Sequence, residues 1–230
     1  IRAMSLCMAP GGVSESSDLA GLDSLSFKLK RIDEKKGSKT APEYQNVVIA
    51  STYEDAVSRI KKFRERLLHV VEKIDNKSDP NHPSSVGYAV FDMSYAPGLG
   101  ASVVAIAVEI EMSENHSTLK IKNVVASVDC GLAVNPQLVE TQVAGAIVFG
   151  LSNALYGEIT LDNGRVEQSN FHDYPILRLK DTPSIDVHIA SSDATLPSGI
   201  VKGAVPGVIS ALVDYLHTCH LYTPSATPEQ

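Results

Sequence analysis

The stretch from Val128 to Glu158, VDCGLAVNPQLVETQVAGAIVFGLSNALYGE, decides the fold of this chain. The residues that lead into it, from Leu119 to Val128, are rich in Val and Ile and alternate loosely with polar residues, which is typical of a β-strand. Asp129-Cys130-Gly131 then interrupts the pattern as turn residues do. The sequence therefore predicts a strand and a tight turn, followed by a long apolar helix.

Asn135 and Pro136 mark the start of that helix. An Asn side chain can accept a hydrogen bond from the free backbone N–H groups of the first turn, and Pro at the first helical position has no N–H to leave unpaired. The apolar residues that follow recur at helical spacing and predict a wide buried face. They are Val139, Val143, Ala146, Ile147, Gly150, Leu151, Ala154 and Leu155.

The composition is that of an ordinary globular protein. Of the 230 residues, 43% are hydrophobic and 20% are charged, which is enough to bury a core in one or two domains. The formal net charge of -7 argues against nucleic acid or an anionic membrane surface as the main partner. We therefore expect no nucleic-acid partner.

Cysteine spacing and the longest uncharged run bear on the compartment. Cys7, Cys130 and Cys219 form no CxxC pair and cannot all pair with one another, which favours a reducing compartment. The run from Thr141 to Gly157 contains polar residues and is shorter than the roughly 20 apolar residues that a bilayer span needs. We expect a soluble protein without a direct membrane span. Import into mitochondria followed by cleavage of a presequence is compatible with these features, and the first residue, Ile1, indicates a processed chain or a fragment.

Another helix is predicted nearer the N-terminus. Ser51 and Glu54 form a capping box, and basic residues, among them Arg66 and Lys73, are expected on an outer, solvated face. An anion-binding role for that face is the alternative to simple solvation. The apolar positions of this helix are Val57, Ile60, Phe63, Leu67, Val71 and Ile74.

The remaining elements complete an α+β prediction, in which mixed β-sheets pack with helices. Strands are expected at 86–95, 100–112 and 186–190, and a hairpin is expected to turn at Asp162-Asn163-Gly164. A last helix at about 206–216 follows a loop at 197–203. The predicted division is an irregular N-terminal segment and linker at 1–50, a domain at 51–217 and a tail at 218–230.

Three segments together resemble a known family. They are Val128-Asp-Cys-Gly-Leu-Ala-Val-Asn-Pro136; then Gln142-Val-Ala-Gly145 with Gly150-Leu151, Ala154-Leu155 and Glu158; then Gln168-Ser-Asn-Phe-His-Asp-Tyr-Pro-Ile-Leu-Arg178. Their order and length resemble the C-terminal molybdopterin-binding region of the xanthine dehydrogenase/aldehyde oxidase family, in its branch of isoquinoline 1-oxidoreductase β-subunits. The resemblance spans about Ala9 to His217 and implies a molybdopterin-binding-domain-like fold, truncated relative to the family's enzymes.

The resemblance also implies roles for individual residues. Gln142 matches a family glutamine whose amide contacts the pterin, and Gly145 belongs to the same segment. Lys202 stands where the family carries the glutamate that acts as the general base, and Val201 stands in place of a glycine. An ammonium group cannot take up a proton unless its pKa falls by several units, so a degenerate active site with no catalytic residue is expected.

Two functions follow from these observations. The first is a non-catalytic homologue that binds no cofactor and serves as a structural or accessory subunit, with other protein subunits as its partners. The second is the C-terminal piece of a split molybdenum hydroxylase that oxidises aldehydes or N-heterocycles, in which case molybdopterin is the cofactor and Gln142 and Gly145 contact it.

Two histidine-containing clusters have simpler interpretations than a functional site. His217, Cys219 and His220 are too close in sequence to surround one metal ion without a ligand from elsewhere, and a frayed helix end is the simpler interpretation. His172 beside Asp173 could shuttle protons, but hydrogen bonding within a surface loop is the simpler interpretation there. No metal ligand is therefore assigned.

Overall fold

A computed structural model of the chain describes residues 65–76, 85–92, 102–113, 118–192, 194–199 and 201–218. In chain order the elements are α1 (65–75), β1 (Ser85–Asp92), β2 (Val103–Met112), β3 (Leu119–Asp129), α2 (Pro136–Tyr156), β4 (Leu161–Asp162), β5 (Arg165–Val166), β6 (Ser184–Ile189) and α3 (Val201–Thr218). The segment 1–50, the capping box at Ser51 and Glu54, and most of the tail at 218–230 lie outside the described residues.

Four of these strands form one mixed sheet in the order β1-β2-β3-β6. The first three are antiparallel neighbours, whereas β6 runs parallel to β3, with Ser127 opposite His188. Parallel neighbours need a crossover connection, and the segment that contains α2 provides it. The α+β class with a mixed sheet is therefore confirmed.

The sheet is covered by helices on both faces. Residues of one parity on β2 and β3, such as Ile106 and Val124, pack against α2 and α3. Those of the other parity, such as Ala107 and Val125, pack against Leu67, Val70 and Ile74 of α1. Burial on both faces explains the continuous apolar runs at 103–108 of β2 and 124–126 of β3.

Helix α2 begins and packs as its sequence predicts. The Asn135 side chain accepts a hydrogen bond from the backbone N–H of Leu138 at 3.1 Å, and Pro136 is the first helical residue. Seven of the eight predicted apolar positions are buried, and Leu155 is the exception at 38% exposure. By length and composition α2 could also cross a membrane, but its buried side is part of the main core.

The hairpin prediction is also confirmed. Strands β4 and β5 pair, and the two residues between them, Asn163 and Gly164, have φ angles of 47° and 81°. Positive φ at both central positions is the geometry that Asn-Gly favours in a two-residue hairpin loop.

Helix α3 starts earlier than the sequence predicts. The helix begins at Val201, whereas the sequence predicts a loop at 197–203 and a helix that starts at about Pro206. Pro206 cannot donate a hydrogen bond to the carbonyl of Lys202, so one helical bond is lost. The buried residues Ala204, Val208 and Leu212 pack into the core and stabilise the helix despite that loss. In α1 the sequence predicted Val71, and not Val70, at an apolar core position. The structure buries Val70 fully and Val71 only partly.

Gly150 permits the close approach of α2 and α3. A Cβ built at Gly150 would lie 2.5 Å from Cγ1 of Val208 and 2.8 Å from the carbonyl oxygen of Val205. Gly145 lies on the same helix, but among the described residues no atom lies within 4 Å of its Cβ position. The two glycines of α2 therefore differ in packing.

We expect Gly150→Ala to destabilise the protein by about 1–3 kcal/mol, because the contact with α3 is overpacked. Gly145→Ala is the matched control and should stabilise it by up to about 1 kcal/mol through helix propensity alone. Urea unfolding of both variants measures the difference. Equal effects at the two positions would contradict the close helix contact.

Candidate functional site

Two loops meet where α2 and α3 begin. The first, residues 130–135, connects β3 to α2, and the second, residues 194–199, precedes α3. The backbone N–H of Leu132 donates to the carbonyl of Leu196 at 3.1 Å, and the N–H of Ser198 donates to the carbonyl of Cys130 at 2.8 Å. These two bonds join the loop before α2, the helix with the predicted cofactor contacts, to the loop before α3, the helix with the predicted base position.

Gly131 makes the tight turn at the end of β3. Its φ is +66°, and its N–H donates to Oδ1 of Asp129 at 3.1 Å. A Cβ at this position would lie 2.5 Å from the carbonyl oxygen of Leu196. The glycine is thus required both by the left-handed backbone and by the neighbouring loop.

The Cys130 thiol, next to Gly131, belongs to the core. Cys130 is buried and free, and burial, followed by the nearby Asp129 carboxylate, raises the pKa of its thiol. Because the thiolate is the reactive form of cysteine, this side chain is suited to packing and not to nucleophilic chemistry.

Gln142 and Gly145 lie on an exposed stripe of α2. The stripe consists of Leu138, Gln142, Gly145 and Phe149, which follow one another at spacings of four, three and four residues. Leu138 is 56% exposed and Phe149 is 60% exposed. The two predicted cofactor contacts therefore share one open and largely apolar helix face, which we call the Gln142 stripe.

Lys202 is the second residue of α3. The sequence predicted a loop here, and the structure places the position in the first helical turn, next to the loop that is hydrogen-bonded to 130–132. Of the nearest carboxylates in sequence, Asp193 lies outside the described residues. Asp214 is buried and accepts the backbone N–H of Tyr88 at 3.0 Å, so it serves the packing of α3 on β1.

A family model described as the molybdopterin cofactor-binding domain matches residues 20–183, which is more than half of the chain. The chain belongs to this family. The match includes the β3-to-α2 stretch and the whole Gln142 stripe.

Curated relatives share the family and are much longer. The β subunit of isoquinoline 1-oxidoreductase from Brevundimonas diminuta is 34% identical over 110 residues, which is 48% of this chain and 14% of that protein. The large subunit of nicotine 6-hydroxylase from Paenarthrobacter nicotinovorans is 28% identical over 135 residues, 54% of this chain and 16% of that protein. The chain thus matches about a seventh of these relatives.

A solved structure shares the fold. Aldehyde oxidoreductase from Desulfovibrio gigas aligns with 89% of this chain and 37% of its own, at a TM-score of 0.57 and 10% sequence identity. At that identity the likeness supports the molybdopterin-binding-domain-like fold of the family and nothing finer.

Gln142 and Gly145 have properties that suit contact with a pterin, whereas the residue at position 202 does not suit proton abstraction. The exposed Gln142 amide can donate and accept hydrogen bonds, and the open space above Gly145 allows a flat group to approach the backbone of α2. Lysine at position 202 does not suit the role of a general base at neutral pH. Gln142 and Gly145 could thus contact a pterin, and position 202 carries a lysine where the sequence resemblance implies a glutamate.

His172 and Asp173 form a local loop structure. Asp173 accepts hydrogen bonds from the backbone N–H groups of Asn170 and Ser169 and from the Ser169 hydroxyl, at 2.8 to 2.9 Å. These bonds, those from the backbone first, lower the pKa of Asp173 to about 2. His172 is 74% exposed at the side chain and lies 3.5 Å from this carboxylate.

Within the part of the chain that the structure describes, no group of three or more His, Cys, Asp or Glu side chains is placed to hold a metal ion. Of the C-terminal cluster, Cys219 and His220 lie outside the described residues, and only the backbone of His217 is described. The zinc alternative for this cluster is therefore untested.

A polar cluster that sequence reasoning missed lies on the other face of the sheet. The Arg66 guanidinium, predicted on an outer surface, donates to the buried Ser127 hydroxyl at 3.4 Å, and the same hydroxyl lies 3.0 Å from Nδ1 of His69. The His69 and His188 rings meet edge to face with centroids 5.0 Å apart. The spacing of Arg66, His69 and Lys73 along one side of α1 was the available signal.

We expect Gly131→Ala to destabilise the protein more than Gly164→Ala. Each substitution forces a positive φ on a residue with a side chain, at a cost of about 1–2 kcal/mol, but the described residues crowd only the former position. Overpacking should add about 1–3 kcal/mol at Gly131. Thermal and urea unfolding compare the pair, and a Gly131→Ala protein as stable as Gly164→Ala would show that the two loops are not held together.

Proposed function

We propose that this protein is a non-catalytic member of the molybdopterin cofactor-binding domain family that serves as a structural or accessory subunit of a larger protein assembly. The observation that carries the proposal is the Gln142 stripe, an open apolar face within the residues that the family model matches. The identity of Lys202 supports the non-catalytic part.

The stripe has the chemistry of a protein contact. Leu138 and Phe149 expose more than half of their side-chain area at either end of it, and neither end carries a charge. Leu132, Val134 and Leu196 extend exposed apolar surface around the paired loops nearby. Grouped apolar area of this kind is typical of surfaces that bind another protein.

The non-catalytic part rests on the chemistry of position 202. In the family's hydroxylases, as the sequence resemblance implies, a carboxylate at this position acts as the general base. An ordinary lysine side chain carries a positive charge near neutral pH and is not a proton acceptor. The backbone at position 202 is helical, in the first turn of α3.

The alternative is one part of a split molybdenum hydroxylase. The exposure of Gln142 and the open backbone at Gly145 favour it, because both would be available to a pterin held jointly with another polypeptide. Such a cofactor would supply the redox chemistry when bound. The chain itself would contribute hydrogen bonds from the Gln142 amide and the shape of the α2 face.

Metal and activity measurements on the native assembly separate the two functions. We expect less than stoichiometric molybdenum by elemental analysis, no oxidation of aldehydes or N-heterocycles, and no gain of activity in an assembly that carries Lys202→Glu. One molybdenum per chain together with activity in either form would contradict the non-catalytic proposal and favour the split enzyme.

Substitution on the stripe tests the subunit role. We expect Leu138→Asp/Phe149→Asp to weaken assembly by about 2–4 kcal/mol, as for central apolar anchors of an interface. An Asp in the first turn of α2 is favourable for the helix, so Leu138→Asp should not unfold it. Light scattering of the purified assembly measures the loss.

Leu161→Asp/Leu179→Asp is the matched control for that experiment. Leu161 is 67% exposed and Leu179 is 91% exposed, which is more than Leu138 and Phe149, and both lie outside α2. The control should assemble normally. Equal loss in both double variants, or in neither, would contradict a specific role of the Gln142 stripe.

A further inference from the structure

A cavity that is open to solvent lies at the β6 edge of the sheet, where the end of β6 meets α1 and the start of α2. Its volume is about 480 Å³. Three potentially cationic side chains line it, those of His69, Lys73 and His188, together with the Glu140 carboxylate and the backbone at 187–191. Sites for small molecules typically measure about 300–1,000 Å³, so the space is sufficient for a small ligand.

The sheet register brings the two histidines together. Ser127 and His188 are partners on the parallel strands β3 and β6, so their side chains share the face that α1 covers. His69 reaches both of them from α1, with Nδ1 3.0 Å from the Ser127 hydroxyl and its ring in edge contact with His188. The cluster is thus built from three separate elements.

The hydrogen bonds around Ser127 orient the His69 ring. Arg66 can only donate, so the Ser127 oxygen accepts from it and the hydroxyl hydrogen is available to Nδ1 of His69. That arrangement places the hydrogen of a neutral His69 on Nε2. Nε2–H is then a donor that is not used by Ser127.

His188 has a carboxylate close by without a full hydrogen bond. Its Nε2 is buried and lies 3.4 Å from Oδ2 of Asp186, and within the described residues it has no hydrogen-bond partner. Because this nitrogen is buried beside Asp186, it is not open to the cavity, and His188 contributes its ring to the cavity wall.

The surroundings of His69 are mainly positive. Burial lowers the pKa of His69, and His188, Arg66 and Lys73 lower it further in that order, while Glu72 on the same helix opposes them. Glu140 on α2 and Asp186 on β6 are the other carboxylates near the cavity. On the cavity wall itself, the Lys73 ammonium is offset by the Glu140 carboxylate, and His69 and His188 supply the other titratable groups.

We propose that this cavity binds a small oxyanion, a phosphate group or its equivalent, through His69 and Lys73, with the His188 ring beside them. The His69 imidazole supplies an N–H donor on one side and the Lys73 ammonium supplies charge on the other, which together suit the several acceptor oxygens of such a group. The volume leaves room for a small organic group that carries the phosphate. The site lies at the β6 edge of the sheet and does not depend on the proposed function.

Binding should strengthen as the pH falls. The lowered pKa means that the folded protein holds the His69 proton less tightly than the unfolded chain does, so stability from this group is present above about pH 6.5 and is lost below it. A bound anion stabilises the protonated His69 imidazole. The added stability in sulfate, an oxyanion whose charge is constant over this range, should therefore be larger at pH 6 than at pH 8.

Titration of the full chain with inorganic phosphate and with glycerol 3-phosphate tests the proposal, with chloride used to match ionic strength. We expect saturable binding of one equivalent by calorimetry, with His69 and His188 imidazole signals shifted in NMR spectra. Tighter binding of glycerol 3-phosphate would identify an organic phosphate as the ligand, and tighter binding of phosphate a free anion. Saturation by neither would overturn the proposal.

Three single substitutions test the named residues. Lys73→Gln and His69→Gln should each weaken binding about tenfold or more, as loss of a charge-assisted hydrogen bond does, and Glu140→Gln should strengthen it. Lys180→Gln, which removes an exposed lysine from the wall of a different cavity, is the control and should bind as the unchanged chain does.

Lys73 does not belong to the core, so its variant should fold even if His69→Gln disturbs Ser127. Unchanged affinity in Lys73→Gln, or an equal loss in Lys180→Gln, would show binding to general surface charge and would overturn the assignment.

Discussion

Burial of β3 on both faces is the constraint on which the rest of the structure depends. Every residue from Val124 to Gly131 is buried, and the strand is hydrogen-bonded on one side to β2 and on the other to β6. Helices must then cover both faces, since neither face can be left to solvent. Polar side chains on the strand must find partners within the protein, and Ser127 finds them in Arg66 and His69.

Local signals in the sequence were sufficient for the elements around β3 but not for their arrangement. Asn135 before Pro136 and the Asn163-Gly164 pair act through their own backbone geometry, so their effects are readable from a few residues. The early start of α3 is not readable in this way, because Pro206 argues against it locally and the core contacts that outweigh Pro206 come from distant strands. The parallel pairing of β6 with β3 likewise has no local signal.

The same distinction applies to the two sites. Gln142 was identified by family resemblance, and the helical spacing of its neighbours was readable from the sequence. The exposure of Leu138 and Phe149 was not, since the apolar character of α2 extends around the helix and only packing decides which side is covered. The meeting of His69 with His188 depends on strand register and was beyond sequence reasoning altogether.

Family membership and catalysis place separate demands on this chain. Gly131 is needed because its φ is positive and the loop at Leu196 is close, and Gly150 is needed because α3 packs against it. Neither requirement involves a substrate. A chain that had lost its chemistry would therefore keep the stretch 128–158 as faithfully as an active enzyme, because that stretch holds β3, α2 and α3 together. The fold therefore does not by itself show whether a chain of this family is catalytic, and function has to be argued from the residues of the site.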